Sequence, residues 1–372
     1  MPGSAHTGSA INLSYEQSSS FLPEMGSAEE LKLFKQLQYE FSSQFELFFP
    51  DNKAPKTIVV IPSLTLDQEV LARIEGAMHY EERLLCLLML LRMPRVHVVY
   101  FSSMPIDPVI VDYYLHQLPG ITGLHARERL TLLSCYDLSQ ISLTEKVLQR
   151  PRLIERIRQS IPKGHVAHIA CFNTTAYEHT LAVRLNIPIY GCDPSMVYMG
   201  TKSGSRRVFR KAGLKIPPGF EDLSSFDEIV HAVAALKDMY PDLQKAVIKL
   251  NDGFSGEGNA VIQYPEGLNK KEMFNWVHHN LEKEIKPVAK DMSYPEFMNK
   301  FAIMEGIVEA FIDDGDEKNS PSVQCRINPL GEVDIISTHE QMMGGESGQV
   351  FLGAHFPARA EYCSEVNGEM EG

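Results

Sequence analysis

Residues 246–264 read "AVIKLNDGFSGEGNAVIQY": two short apolar runs flank a loop that contains three glycines. Runs of five or six residues rich in Val and Ile, separated by an Asn-Asp-Gly turn cluster, predict two strands joined as a hairpin, with Lys249 projecting from the first. Gly253, Gly256 and Gly258 run G-x-x-G-x-G and lead into another strand, whereas the dinucleotide fingerprint G-x-G-x-x-G stands between a strand and a helix. No Gly-Lys-Ser/Thr follows either, which excludes a Walker A loop. What fits is a hairpin whose amide-rich tip closes over a polyphosphate. Glycines let backbone N–H groups approach an anion closely, and Lys249 adds a point charge. An ordinary flexible hairpin with a surface lysine has the same pattern, so neighbouring segments must decide.

On the N-terminal side, "MGTKSGSRRVFRKAGLKIPPG" (199–219) puts Lys202, Arg206 and Arg207 at the start of a short helix that Gly213 ends. Cations and helix N–H groups then converge at one end, an anion-site pattern that a solvated basic helix would share. On the C-terminal side come further strands, "AIMEGIVEAFI", "SVQCRINP" and "EVDIISTHEQ", with one amphipathic helix near "KKEMFNWVHHNLEKEI". Residues 201–372 therefore predict an α+β unit.

The preceding 150 residues have a different grammar. The apolar runs "TIVVIP", "VHVVYFSS", "LTLLSC", "VAHIACF" and "IPIYG" alternate with helical periods. Strands apolar on both faces and separated by helices predict a parallel sheet covered on both sides, a doubly wound α/β domain over 51–200. Residues 1–50 read as a disordered tail and a polar helical lead-in, "SAEELKLFKQLQYEFSSQFELFF".

Composition narrows the function classes. With 35 Lys+Arg against 48 Asp+Glu, the net charge of -13 argues against nucleic acid and anionic membrane as partners. The longest apolar run, Leu84–Leu91, falls far short of the ~20 residues of a membrane span. The six cysteines form no C-x-x-C pair, and the N-terminus has no basic start followed by an apolar core. These features predict a cytoplasmic protein without a zinc site.

Taken in order, "TKSGSRRVFRKAGLKIPPG", "AVIKLNDGFSGEGNAV" and "IVEAFI" behind a doubly wound domain resemble the ATP-grasp superfamily. More narrowly, they resemble carboxylate-amine ligases of the pheganomycin peptide ligase type and the ATP-grasp region of IQ-motif-containing protein H. The resemblance runs from "FFPDNKAPKTIVVIPSLTLDQE" onward and includes "HYEERLLCLL", "HARERLTLLSCYD" and "YGCDPSMVYMGTKSGSRR". It implies an α/β fold: a doubly wound parallel-sheet pre-ATP-grasp domain followed by an α+β ATP-grasp domain.

The resemblance also implies roles. Lys202 and Lys249 would hold ATP phosphates, with Arg206 beside them, and the loop Gly253, Ser255, Gly256 and Gly258 would cover the β- and γ-phosphates. Glu309 would lie near the adenine or ribose. Arg326 would face the transferred phosphate, and His339, Glu340 and Gln341 would stand beside the acceptor. The implied cofactors are ATP and Mg²⁺, and the implied partners are small-molecule carboxylate and amine substrates, amino acids or peptides, joined through an acylphosphate. The family's magnesium carboxylates come after this point in its pattern, and "SEVNGEMEG", with Glu365 and Asn367, sits in a polar stretch without strand character. We read that Glu-x-Asn as accidental, assign no metal ligands, and read the catalytic domain as incomplete at its C-terminus. The alternative is a non-catalytic nucleotide-binding module with a scaffold or regulatory role. A Rossmann-type NAD(P) enzyme is disfavoured because "PSLTLDQE" stands where its glycines belong.

Overall fold

The computed structural model describes residues 22–65, 76–253, 258–289, 292–312, 320–344 and 350–361. The chain divides into two compact units, Met1–Pro194 and Ser195–Gly372.

In the first unit, β1 (Lys56–Ile61), β2 (Val96–Ser102), β3 (Leu130–Ser134) and β4 (Val166–Cys171) form an all-parallel sheet in the order β3-β2-β1-β4. Every residue of β1 is buried, and alternate side chains enter opposite cores. Val59 and Ile61 join Phe34 and Leu181 on one face, while Ile58 and Val60 join Leu85, Leu88 and Leu91 on the other. Both faces are therefore covered, and each buried aliphatic side chain stabilises the unit by about 1.5–3 kcal/mol.

Three elements depart from the sequence reading. The apolar segment read as a buried helix is a 3₁₀ helix, Ala77–Arg92, whose three-residue period aligns Leu85, Leu88 and Leu91 toward the sheet. "IPIYG" is reduced to one bridge, Ile169 with Ile189, because Pro188 has no N–H to give a ladder. The lead-in helix, Ala28–Phe48, is built into the unit: Phe34 and Phe41 are buried, and the Gln38 side chain bonds both the N–H (2.8 Å) and the carbonyl (3.0 Å) of Ile189.

His168 of β4 lies buried among the rings of Phe41, Phe49 and Tyr190, and among the described residues its Nδ1 has no hydrogen-bond partner. Burial, reinforced by the nearby Lys56 charge, brings its pKa down to about 4. The unfolded chain takes up this proton near pH 6.5, so the stabilising contribution is whole above that pH and is lost as pH falls toward about 4. The loss expected at pH 5 is about 2 kcal/mol. Thermal unfolding at pH 7.5 and pH 5 should show a smaller acid penalty in His168→Phe than in the parent. Equal penalties in both proteins would refute the assignment.

In the second unit, β5 (Gly219–Leu223), β9 (Gly306–Ala310), β6 (Lys245–Leu250), β7 (Asn259–Gln263) and β8 (Lys286–Pro287) form an antiparallel sheet in the order β5-β9-β6-β7-β8. A second antiparallel sheet runs β10-β11-β12: Pro321–Ile327, Val333–Gly344 and Val350–His355. The glycine segment does join a hairpin, with β6 and β7 in register from Lys245↔Gln263 to Lys249↔Asn259. Helices Phe226–Met239 and Lys270–Glu284 pack Ile229, Val230, Val233, Met273 and Val277 against Ala246, Ile248 and Ala260. The sequence reading expected one helix in the region after the basic segment. Phe226–Met239 and Tyr294–Met304 are additional, and each begins with a capping box, Ser225/Glu228 and Ser293/Glu296. The fold is thus a parallel α/β unit followed by an α+β unit. No helix among the described residues is long and apolar enough to cross a membrane.

Candidate functional site

Strand alternation creates the first pair. Ala246, Ile248 and Leu250 enter the core, which leaves Lys249 on the opposite face of β6. The β6–β9 register pairs Val247 with Glu309 and Lys249 with Ile307, so Glu309 lies diagonal to Lys249 on that face. Lys249 Nζ and Glu309 Oε1 are 2.6 Å apart. The other Glu309 oxygen accepts from Arg206 Nη1 at 2.7 Å, and Arg206 Nε also reaches Glu221 at 3.3 Å. Arg210 pairs with Glu221 as well. Burial alone would raise the Glu221 pKa, but the hydrogen bonds from Arg210 and Arg206 outweigh it and hold the carboxyl below the usual range.

Lys202 is the first residue of the helix Lys202–Lys211, where Thr201 caps by accepting the Gly204 N–H at 3.0 Å. A side chain at position 204 would collide with the Tyr198 backbone, so glycine allows the turn before the helix to fold against its first coil. Gly213, at φ +77°, follows the helix end as expected. One residue past β6, Asn251 fixes the whole arrangement. Its Oδ1 accepts the Ser203 N–H at 2.9 Å, its carbonyl accepts the Lys202 N–H at 3.2 Å, and its own N–H donates to Glu305 at 3.0 Å. Sequence reasoning passed over Asn251, although an asparagine opening a turn at a strand end is a positional signal.

Lys202 carries the most telling electrostatics. Burial, and next the Lys249 charge, push its pKa down, with Asp252 and Glu309 pulling the other way. Among the described residues, no carboxylate lies within ion-pair distance of its ammonium. It also sits at the positive end of a helix dipole. Two lysines, a helix N-terminus and partial desolvation leave positive potential that a polyanion would neutralise.

The loop beyond Asn251 begins within reach of this pair. The Leu250 N–H bonds the Gly258 carbonyl at 2.9 Å, and a Cβ on Gly258 would come within 3.1 Å of the Gly253 Cα. The loop's two ends therefore pass in near contact. Ser255 and Gly256 lie outside the described residues, as do Glu365 and Asn367.

Lys202, Arg206, Lys249 and Glu309 are brought together; the proposed catalytic residues stand on the second sheet. Arg326 pairs in register with Asp334 and is exposed, while His339 pairs with Ser322, four positions earlier on β10 and roughly 13 Å along the strand. The His339 ring lies 5.6 Å from that of Phe356, and its Nε2 is 3.4 Å from Ser337 Oγ. Glu340 is buried, accepts the Ser320 N–H at 3.3 Å and approaches Arg359 at 3.7 Å. The Gln341 N–H is committed to the Ser320 carbonyl at 2.9 Å. Arg207 is exposed and paired with Asp222 rather than turned to the lysines. Among the described residues, no three His, Cys, Asp or Glu side chains converge as a metal site.

Residues 195–287, which hold the helix Lys202–Lys211 and the β6–β7 hairpin, match the family model described as IQCH-like, ATP-grasp. The matched stretch, similar to an ATP-grasp region, lies within the second unit. It is 25% identical over 357 residues to IQ motif-containing protein H of Danio rerio, covering 84% of this chain and 33% of the relative. It is 26% identical over 321 residues to an L-propargylglycine–L-glutamate ligase of Streptantibioticus cattleyicolor, covering 83% of this chain and 63% of the relative. The chain thus spans about a third of the one relative and under two thirds of the other. Among solved structures, N5-carboxyaminoimidazole synthetase from Staphylococcus aureus complexed with ADP matches at TM-score 0.45 and 12% identity, covering 86% of this chain and 63% of that one. D-alanyl-alanine synthetase A from Vibrio cholerae matches at TM-score 0.41 and 9% identity, covering 86% and 79%.

Proposed function

We propose that the second unit binds ATP through its phosphates and that the protein is a cytoplasmic ATP-dependent carboxylate-amine ligase acting on small-molecule acids and amines. The observation that carries this reading is Lys202, a partly desolvated ammonium held beside Lys249 at a helix N-terminus, with its pKa pressed down by burial and by the Lys249 charge. The donor set fits a triphosphate. Lys202 and Lys249 would neutralise its charge, and the backbone between Gly253 and Gly258 would approach it closely. Arg206 is paired with both Glu309 and Glu221, so its part is to orient Glu309 toward the ribose or adenine rather than to touch phosphate. Bound ATP would supply the phosphoryl group that makes a carboxylate reactive toward an amine. Closing the loop would exclude water from that reaction. The relative named for ligation of propargylglycine to glutamate supports amino acids as the substrate class.

Magnesium does not fit the described residues: Glu309 is already paired with two cations, and no carboxylate cluster stands near it. No step is therefore assigned to a metal, nor to Arg326 beyond a place facing the transferred phosphate, nor to His339 or Gln341 beyond a place beside the acceptor. A second reading, a non-catalytic nucleotide-binding module with a scaffold or regulatory role, is favoured by the IQCH-like match of residues 195–287. Calorimetric titration with a non-hydrolysable ATP analogue tests the shared part, and absence of binding by folded protein would remove both readings. ADP release dependent on an amino-acid pair separates them: its presence supports the ligase, and binding without turnover supports the module.

A further inference from the structure

The carboxyl end of β3 opens onto a recess of about 550 Å³ in the first unit, lined by Cys135, Tyr136, Arg150, Arg152, Leu153 and Arg156 among others. That volume lies within the ~300–1,000 Å³ range of small-molecule sites. One wall is rigid. Arg150 donates to Asp137 Oδ2 at 2.6 Å and to the Lys146 carbonyl at 2.8 Å, while Lys146 Nζ donates to the Asp137 carbonyl at 3.0 Å and to Ser103 Oγ at 2.9 Å.

The charge balance of the lining is uneven. Asp137 compensates Arg150, and Glu155 on the same helix, Pro151–Gln159, is taken by Arg158. Arg152 and Arg156 have no ion pair among the described residues. They stand four apart, so their side chains rise from one helix face with Cβ atoms about 5–6 Å apart. In a chain of net charge -13, two uncompensated guanidinium groups on one recess are a local exception. Their planar forks suit the oxygens of a phosphate. Apart from Ser134, the rest of the lining is mostly apolar or aromatic: the Tyr136 ring is exposed, and Pro151, Leu153 and Cys135 stand beside it.

We propose that this recess binds a small organic phosphate, with Arg152 and Arg156 on the phosphate and Tyr136 and Leu153 against the apolar body. The site lies wholly in the first unit and does not depend on the ATP reading. Phenyl phosphate is the probe, titrated calorimetrically into the full chain beside inorganic phosphate. The expected results are tighter binding of phenyl phosphate than of inorganic phosphate, an affinity lower by about tenfold or more in Arg152→Gln/Arg156→Gln, and an intermediate affinity in Arg152→Lys/Arg156→Lys, which keeps the charge and loses the fork. Tyr136→Ala should remove the preference for phenyl phosphate. Both arginines are exposed, so the variants should keep the parent's circular dichroism and unfolding temperature. No binding by the parent, unchanged affinity in the glutamine double variant, or binding by the lysine double variant no tighter than by the glutamine one would each overturn the proposal.

Discussion

Replacing Lys202 and Lys249 together with alanine is expected to take a non-hydrolysable ATP analogue below calorimetric detection. Each ammonium offers one charge-assisted contact to phosphate, and removing such a contact costs about 1.5–3 kcal/mol, or about ten- to a hundredfold in affinity. The two single variants should differ. Lys249 already pairs with Glu309, so part of its gain on nucleotide binding is spent in weakening that contact. Lys202 has no such partner among the described residues and stands partly desolvated, so its variant should show the larger loss. Lys202→Ala also removes an ammonium whose burial and neighbouring charge disfavour it, so the folded state should not be weakened. A loss of binding without a loss of unfolding temperature is therefore the specific signature. Unchanged affinity in both single variants would remove the phosphate-site assignment.

Much of the fold was legible because periodicity and composition agreed. β1 to β4 are runs of branched residues apolar on both faces, and such runs predict a sheet buried from both sides. What failed were contributions decided by single backbone features. The fifth apolar run has a proline where a ladder donor is required. The leucine-rich helix takes a 3₁₀ course because its buried leucines recur every third residue, a period that hydrophobicity alone does not separate from 3.6. Helices Phe226–Met239 and Tyr294–Met304 were legible in their capping boxes but were passed over among the strands.

The candidate site could be proposed from the sequence as residue types and not as a network. Lys202, Arg206, Lys249 and Glu309 could each be named from segment order. That Arg206 is consumed by two carboxylates follows from the close approach of β5 and β9, a distance in space that spacing in sequence does not encode. Asn251 shows the same limit from the other side. Its chemistry is ordinary in a turn, and only the helix start it meets 48 residues earlier gives it a positioning role.

Glu309→Ala is expected to destabilise the second unit by about 3 kcal/mol or more, an effect that a surface ion pair could not produce. Glu309 and Arg206 are both nearly inaccessible, with side chains 9% and 6% exposed, so their charges are compensated by one another rather than by water. Removing the carboxylate leaves Arg206 with Glu221 alone, at the longer 3.3 Å contact, and leaves Lys249 with no partner beside an already unpaired Lys202. Three cations would then face one another across a partly buried space. The cost should be recovered in part when Lys249 is also replaced, because Lys249→Met removes one of the stranded charges while keeping its methylene packing. A double-mutant cycle measured by urea unfolding should accordingly show coupling of more than about 1 kcal/mol between positions 309 and 249. If Glu309→Ala unfolds within about 0.5 kcal/mol of the parent, or the two substitutions simply add, the carboxylate is not the keystone of this cluster, and the proposed orientation of Glu309 by Arg206 fails with it.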